Sequence, residues 1–344
     1  MLPARSERLL LVLACLGFVW ACEEDTPVGT TPPPDPTLEN LWPNDDGRSW
    51  TYSLQPRLWD IPTFTVYDSV SQVPPVTLDD VEVLVLSHPI GANTVIDSGI
   101  FRLVFDDSLV TPSGARGQNL REELYLSQPS PQPVATSGAN AGSWTEVANS
   151  QTTFLQRLAR ARPDLRPRLA AVHPELAARQ ASGTNTPPRL DEVWLPLLLH
   201  GGAFEKTSEH IGNYGVLDLL LAWKFLERNL TPGHEFTHQL VPVLADDVFL
   251  HARLRAPRTV QGPAGVFEKA LEVLYLVDYG IGTVVDSMGT DVGFTRIFDY
   301  GLILYAPTIG PVGGYERSIV GVGDPPNTGI GDTRYELIGT APLP

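Results

Sequence analysis

The feature that most limits the possible folds is the stretch Thr259-Val-Gln-Gly-Pro-Ala-Gly-Val-Phe-Glu-Lys-Ala-Leu-Glu-Val-Leu-Tyr-Leu-Val-Asp-Tyr-Gly280. It opens on a Gly-Pro-Ala-Gly turn and closes on a glycine. Between them Leu271, Val273, Tyr275 and Val277 fall on one side of a two-residue period. Glu272, Leu274, Leu276 and Asp278 fall on the other. This spacing predicts a strand buried on one face and half buried on the other. With 344 residues, 32 prolines and 30 glycines, the chain has room for one large or two medium domains. Its punctuation points to a turn-rich, β-dominated fold with a tethering linker.

Residues 1–21 read as a targeting segment. Arg5 and Arg8 make a short basic region, and Leu9–Trp20 is an apolar core too short for an ordinary membrane span. The acidic, Thr/Pro-rich run from Glu23 to Pro36 has no periodicity and reads as a tether. Cys15 and Cys22 are the two cysteines, and Cys15 leaves with the targeting segment. The expected exported domain therefore has no disulfide, no thiolate metal site and no cysteine nucleophile. A formal net charge of −16 argues against nucleic acid as a partner, because nothing on the scale of the whole chain neutralises phosphates.

The apolar core ends Val19-Trp20-Ala21-Cys22. This resembles the lipobox of bacterial lipoproteins: an aliphatic residue, a variable one, a small one, then cysteine. The resemblance implies cleavage before Cys22 and acylation of that residue, palmitate among the acyl groups. Several chains on one cysteine give stable anchoring. Glu23, rather than an aspartate, follows the cysteine, which implies sorting to the outer membrane of a Gram-negative host, with either face of that membrane open to it. Further motifs resemble a broad, poorly characterised group of bacterial lipoproteins. These are the opening strand Gly47-Arg-Ser-Trp-Thr-Tyr52, the turn Pro263-Ala-Gly-Val-Phe267 before a long strand, and Tyr305-Ala-Pro-Thr-Ile-Gly-Pro-Val312. The resemblance covers the two ends and the last third. It implies a β-rich, lipid-anchored protein without catalytic residues to carry over.

The rest of the chain fills in that outline. Trp50, Tyr52 and Leu54 alternate with Thr51 and Ser53 as a first strand, followed by expected strands at 63–70, 81–87, 100–105 and 122–126. After a Ser/Pro/Gly/Ala linker the period changes. Phe154, Leu155 and Leu158 share one helical face, and Pro163, Pro167 and Pro174 divide the residues up to Arg179 into short helical pieces. The segment 154–179 holds six arginines against Asp164 and Glu175. It can meet anionic lipid or pair internally with the protein's own carboxylates, and internal pairing is the expectation. Residues 191–202 restart a compact region, and 217–226 suits a core strand or a buried helix equally. Strands are expected at 282–286, 294–298, 301–305, 315–320 and 334–338, the last preceded by a turn over 323–332.

The expected organisation is thus a signal peptide (1–21), a tether (22–37), an N-terminal β-rich half (38–127), a linker with an Arg-rich helical insertion (128–190) and a C-terminal β-rich half (191–344). The expected fold is mainly β with a helical insertion, built of two similar antiparallel halves, sandwich- or half-barrel-like. One internal echo suggests the similarity of the halves: Gly47-Arg-Ser-Trp-Thr-Tyr-Ser-Leu54 matches Gly233-His-Glu-Phe-Thr-His-Gln-Leu240 as Gly-x-x-aromatic-Thr-ring-x-Leu.

For chemistry, His234-Glu-Phe-Thr-His238 spells the H-E-x-x-H of zinc hydrolases, which works only on a helix. Pro232-Gly233 stands directly before it and Pro242 comes soon after, so a strand that binds no zinc is the expectation. No G-x-S-x-G elbow is present. Asp79-Asp80, Asp106-Asp107 and Asp246-Asp247 lack the spacing of a calcium loop and read as turn aspartates. The functional expectation is a lipid-anchored, exported, non-catalytic envelope protein. It needs no cofactor, holds the membrane through Cys22, and takes a structural or binding role. The alternative is a lipid-anchored zinc hydrolase using His234, Glu235 and His238.

Overall fold

The computed structural model describes residues 33–43, 48–58, 65–87, 94–95, 99–106, 119–126, 145–146, 150–172, 226–242, 244–286, 288, 290–322 and 327–342. Residues Asp35–Pro344 form one compact unit. Its strands are β1 (Arg48–Leu58), β2 (Thr94–Val95), β3 (Gly99–Asp106), β4 (Asn119–Leu126), β5 (Thr145–Glu146), β6 (Glu235–Gln239), β7 (Phe249–Leu254), β8 (Arg258–Gly262), β9 (Gly265–Val285), β10 (Asp291–Ala306), β11 (Gly310–Val322) and β12 (Asn327–Pro342). The α-helices are α1 (Leu38–Leu41), α2 (Leu78–Ser87), α3 (Ser150–Ala161) and α4 (Arg166–Val172).

The strands make one antiparallel sheet in the order β5-β4-β3-β1-β12-β11-β10-β9-β7-β6, with β2 added to β1 and β8 to β9. It is open, with β5 and β6 at its two ends. Strands from the N-terminal half lie on one side of the β1/β12 pair and strands from the C-terminal half on the other. The fold is mainly β and antiparallel, and α3 and α4 lie in the chain between the two sets of strands.

The two-residue period of β9 decides what covers each face. Leu271, Val273, Tyr275, Val277 and Tyr279 join the main core. Trp50, Tyr52, Leu54, Phe101, Leu103, Leu250, Leu254, Tyr305, Tyr335 and Leu337 line the same face. Helix α3 closes that core with Phe154, Leu155 and Leu158, all buried as their helical spacing predicts. Two buried ring polar groups on this side find backbone carbonyls. Trp50 Nε1 donates to the Ile309 carbonyl at 2.6 Å and Tyr52 Oη to the Pro311 carbonyl at 2.9 Å. On the opposite face Leu274, Leu276, Tyr300 and Tyr315 form a smaller core with Leu78 and Val81 of α2.

Two expected strands take other forms. Residues 81–87 belong to α2. The alternating Val-Glu-Val-Leu-Val-Leu run reads as a strand, but the start of the segment is a helix cap. Thr77 N donates to Asp80 Oδ2 at 2.9 Å and Asp80 N donates to Thr77 Oγ1 at 3.3 Å, a reciprocal arrangement. Leu78 and Val81 then seat on the sheet, so tertiary burial and capping override β propensity. Within 65–70, Tyr67 makes a single antiparallel bridge to Phe294, and a 3-10 turn covers Val70–Gln72. The Gln72 side chain accepts from Asp68 N at 3.2 Å, an alternative to ladder pairing. The turn expected over 323–332 is also shorter, because β12 already pairs from Asn327 opposite Val322. Expected elements at 191–202 and 217–225 lie outside the described residues.

Candidate functional site

The edge strand β6 carries the sequence motif with the clearest chemical meaning, and its backbone is extended over Glu235–Gln239. Side chains therefore alternate. Phe236 enters the main core, whereas Glu235 points to the other face, where Arg253 Nε donates to it at 2.6 Å. His234 Nε2 lies 3.0 Å from Glu227 Oε2. Four strand steps separate the His234 and His238 backbones by about 13 Å. One zinc ion needs both imidazole nitrogens within about 2.1 Å. The motif thus lacks the geometry of a zincin helix, and Glu235 faces away from Phe236 and His238 alike.

The β6–β7 face that carries Glu235 holds an extended charge system. Strand β7 alternates Leu250, Ala252 and Leu254 into the core with His251 and Arg253 on the opposite face. Arg253 meets three carboxylates: Glu235 at 2.6 Å, Glu82 at 2.8 Å and Asp79 at 2.6 Å. Arg255 bridges Glu82 and Glu272, the latter at 2.6 Å, and Arg258 reaches Glu272 at 2.7 Å. This ladder fixes helix α2 to the sheet. Desolvation works against the charge on Arg253, but the bonds to Asp79 and Glu235 outweigh it, so its pKa rises. The ladder was legible in part. Arg253 and Arg255 stand two apart at the end of β7 and just beyond it, and Asp79 and Glu82 three apart on a helix, but a strand reading of residues 81–87 hides the pairing.

Beside it, Thr237 Oγ1 lies 2.9 Å from His251 Nδ1. Burial holds the His251 imidazole below its usual range against the pull of Asp278. Asp278 itself is pushed up by burial, although the Gly280 N–H and the Arg296 guanidinium both favour its charged form. Arg296 Nη1 donates to Asp278 at 2.5 Å.

The other face holds a second charge system under α3. Arg157 pairs with Glu316 and lies 3.4 Å from Asp299, all three buried. Tyr279 Oη donates to Asp299 at 2.7 Å. Burial opposes the charge on Arg157, but Glu316 and then Asp299 more than compensate, and its pKa moves up. Arg162 continues the system to Asp164 at 2.9 Å and Asp247 at 2.8 Å. Arg166 and Arg168 donate to the carbonyls of Ala159 and Leu244. Of the segment's six arginines, Arg157 and Arg162 meet the protein's own carboxylates and Arg166 and Arg168 its carbonyls, while Arg179 lies outside the described residues. Gly280 makes the Arg162 contact possible: its φ is +82°, and a Cβ there would collide with Asp247 and come within 2.8 Å of Arg162 Nη1.

Of the turn aspartates, Asp79 and Asp80 sit in the first turn of α2 and Asp247 binds Arg162. Among the described residues no group of three or more His, Cys, Asp or Glu is arranged to hold a metal, and no helix is long and apolar enough to cross a membrane. Cys22, the candidate lipidation site, lies outside the described residues.

No family model matches the chain, and no curated protein matches it. Two solved structures are similar in part. One is a protein from Bacteroides fragilis described as exported and as having a YmcC-like fold, at 11% identity over 87% of this chain and 98% of that one, with a TM-score of 0.25. The other is a protein from Parabacteroides distasonis described as a lipoprotein, at 10% identity over 90% of this chain and 100% of that one, with a TM-score of 0.24.

Proposed function

We propose that this chain is a lipid-anchored exported protein of the bacterial envelope, held at the outer membrane through acylated Cys22, with a structural or binding role rather than a catalytic one. The observation that carries the reading is the order of its first segments. A basic and apolar leader ends Val19-Trp20-Ala21-Cys22, an acidic Pro/Thr run comes next, and a compact unit begins at Asp35. Within that unit Arg253 of β7, Arg157 of α3 and Arg162 just after it are matched by carboxylates at hydrogen-bond distance, which is how charges serve architecture.

Growing an expressing strain with a clickable fatty-acid analogue tests the anchor. Label should appear on the wild-type chain and disappear, together with membrane association, in Cys22→Ser. Unchanged label and fractionation in that variant refute the reading. Elemental analysis of the purified domain tests the rest, since stoichiometric zinc lost in His238→Ala would restore the hydrolase alternative.

A further inference from the structure

We propose that the β8–β9 hairpin tip, Gln261–Val266, is the membrane-apposed surface of the anchored protein and that its partner is the lipid bilayer itself. The inference rests on the anchoring reading above and adds the side of the domain that meets the lipid.

The argument starts from where the chain enters the folded unit. Asp35 is fixed on both sides: its carbonyl accepts from Asn40 Nδ2 at 2.9 Å, and its carboxylate accepts from Lys269 Nζ at 2.8 Å. Lys269 reaches it from an irregularity in the β8–β9 pairing, where Arg258 opposes Ala270 but Val260 opposes Phe267. The extra residues form a bulge, and Lys269 takes a φ of 54° there. Asn40 is held in turn by Thr308, and Arg48 Nη2 by the Thr308 carbonyl. The tether's exit is thereby attached to one end of the sheet, the end with the β8–β9 and β10–β11 turns.

Only 13 positions separate Cys22 from Asp35, a reach of about 45 Å when fully extended. The hairpin tip is within a few residues of Lys269 and so stays within that reach in almost any orientation. The β9–β10 tip lies at the other end of β9, beyond Val285 and so up to about 55 Å from Lys269 and the tether's exit. A tether confines nearby surfaces at high effective concentration and distant ones hardly at all.

Both tips expose an apolar side chain, Val266 on one and Met288 on the other, and charge separates them in the same sense. Gln261-Gly-Pro-Ala-Gly-Val266 carries no charge in a chain of net −16, and Pro263, Ala264 and Val266 are all exposed, Val266 at 62%. The far tip is bracketed by Asp286 and Asp291. An uncharged, apolar tip tolerates an anionic headgroup layer that repels carboxylates. Its area is too small to hold a protein on a bilayer by itself, so the contact depends on the acyl anchor.

Single-cysteine labelling tests this, because acylation occupies Cys22 and Cys15 is removed with the leader. Full-length, lipidated protein carrying Val266→Cys or Met288→Cys is labelled with an environment-sensitive fluorophore and placed in phosphatidylethanolamine/phosphatidylglycerol vesicles containing nitroxide-labelled lipid. Flotation first shows whether the protein is on the vesicles. The expected result is flotation of both variants, with quenching at position 266 at least twofold stronger than at 288. Flotation with equal, reversed or absent quenching overturns the inference and leaves the anchor standing. Failure to float refutes the anchor and the inference together.

Discussion

Replacing Arg157 by methionine probes the buried charge system under α3. Methionine keeps a flexible apolar body where the arginine stem lay, so little packing is lost. What changes is that Glu316 and Asp299, exposed by 1% and 2%, lose their cation. Removing one partner of a buried pair leaves an uncompensated charge and costs about 3–5 kcal/mol. That is a large share of the roughly 5–15 kcal/mol of a typical domain. With a urea dependence of about 3 kcal/mol per molar, the unfolding midpoint of the unit from Asp35 to Pro344 falls by about 1–1.7 M. The double variant Arg157→Met/Glu316→Gln recovers at least half of the loss. Its remaining carboxylate, Asp299, keeps the Tyr279 hydroxyl at 2.7 Å. Tryptophan fluorescence and circular dichroism monitored against urea give all three midpoints. A single variant within about 0.3 M of the parent, or a double variant no better than the single, refutes the reasoning.

Leu158→Ala opens a cavity between α3 and the sheet at a fully buried position and costs about 2–5 kcal/mol, read from the same urea curves. Gly280→Ala places a methyl group against Asp247 and Arg162 at a φ of +82°; it lowers stability by at least about 1 kcal/mol, and Arg162→Ala made alongside it removes part of that penalty. The depressed His251 pKa has a definite sign: the unfolded chain binds the proton more readily, so stability is full above about pH 6.5 and falls as the pH drops below it. His251→Gln flattens that part of the pH profile in thermal melts between pH 7 and 5, and a profile unchanged by the substitution shows that His251 does not contribute to it.

How much of this could be read from the chain depended on whether the signal was local. The alternation in Leu271–Asp278 sorted the residues of β9 onto its two faces, and the spacing of Phe154, Leu155 and Leu158 named the buried side of α3. The face of β9 expected to be half buried is in fact fully covered, with Glu272, Leu274, Leu276 and Asp278 all buried, because α2 and the arginine ladder lie over it. Pro232-Gly233 before His234-Glu-Phe-Thr-His238 and Pro242 after it pointed to a strand, and β6 covers Glu235–Gln239. What the chain hid was pairing at a distance. Nothing near Arg157 announces Glu316, 159 positions on, and nothing near Arg253 announces Glu82, 171 positions back. Residues 81–87 differ from their expected form for a related reason. Their β-branched alternation suits a strand, but the Thr77–Asp80 cap before them starts a helix, and the apolar patch that seats it lies on strands far along the chain.

The seam between β1 and β12 also sets an order of assembly. Arg48 stands opposite Pro342, so the first of the described strands pairs with one made almost 300 residues later. A chain delivered N-terminus first holds β1 with one edge open until the 16 residues of β12 arrive. Contacts this remote in sequence form late and slowly. A product truncated before Asn327 therefore lacks more than a terminal strand: its sheet is split down the middle, with β1 and β11 both presenting unpaired backbone. Closure of the sheet therefore waits on β12, and a molecule lacking that strand carries its own mark for proteolysis or aggregation.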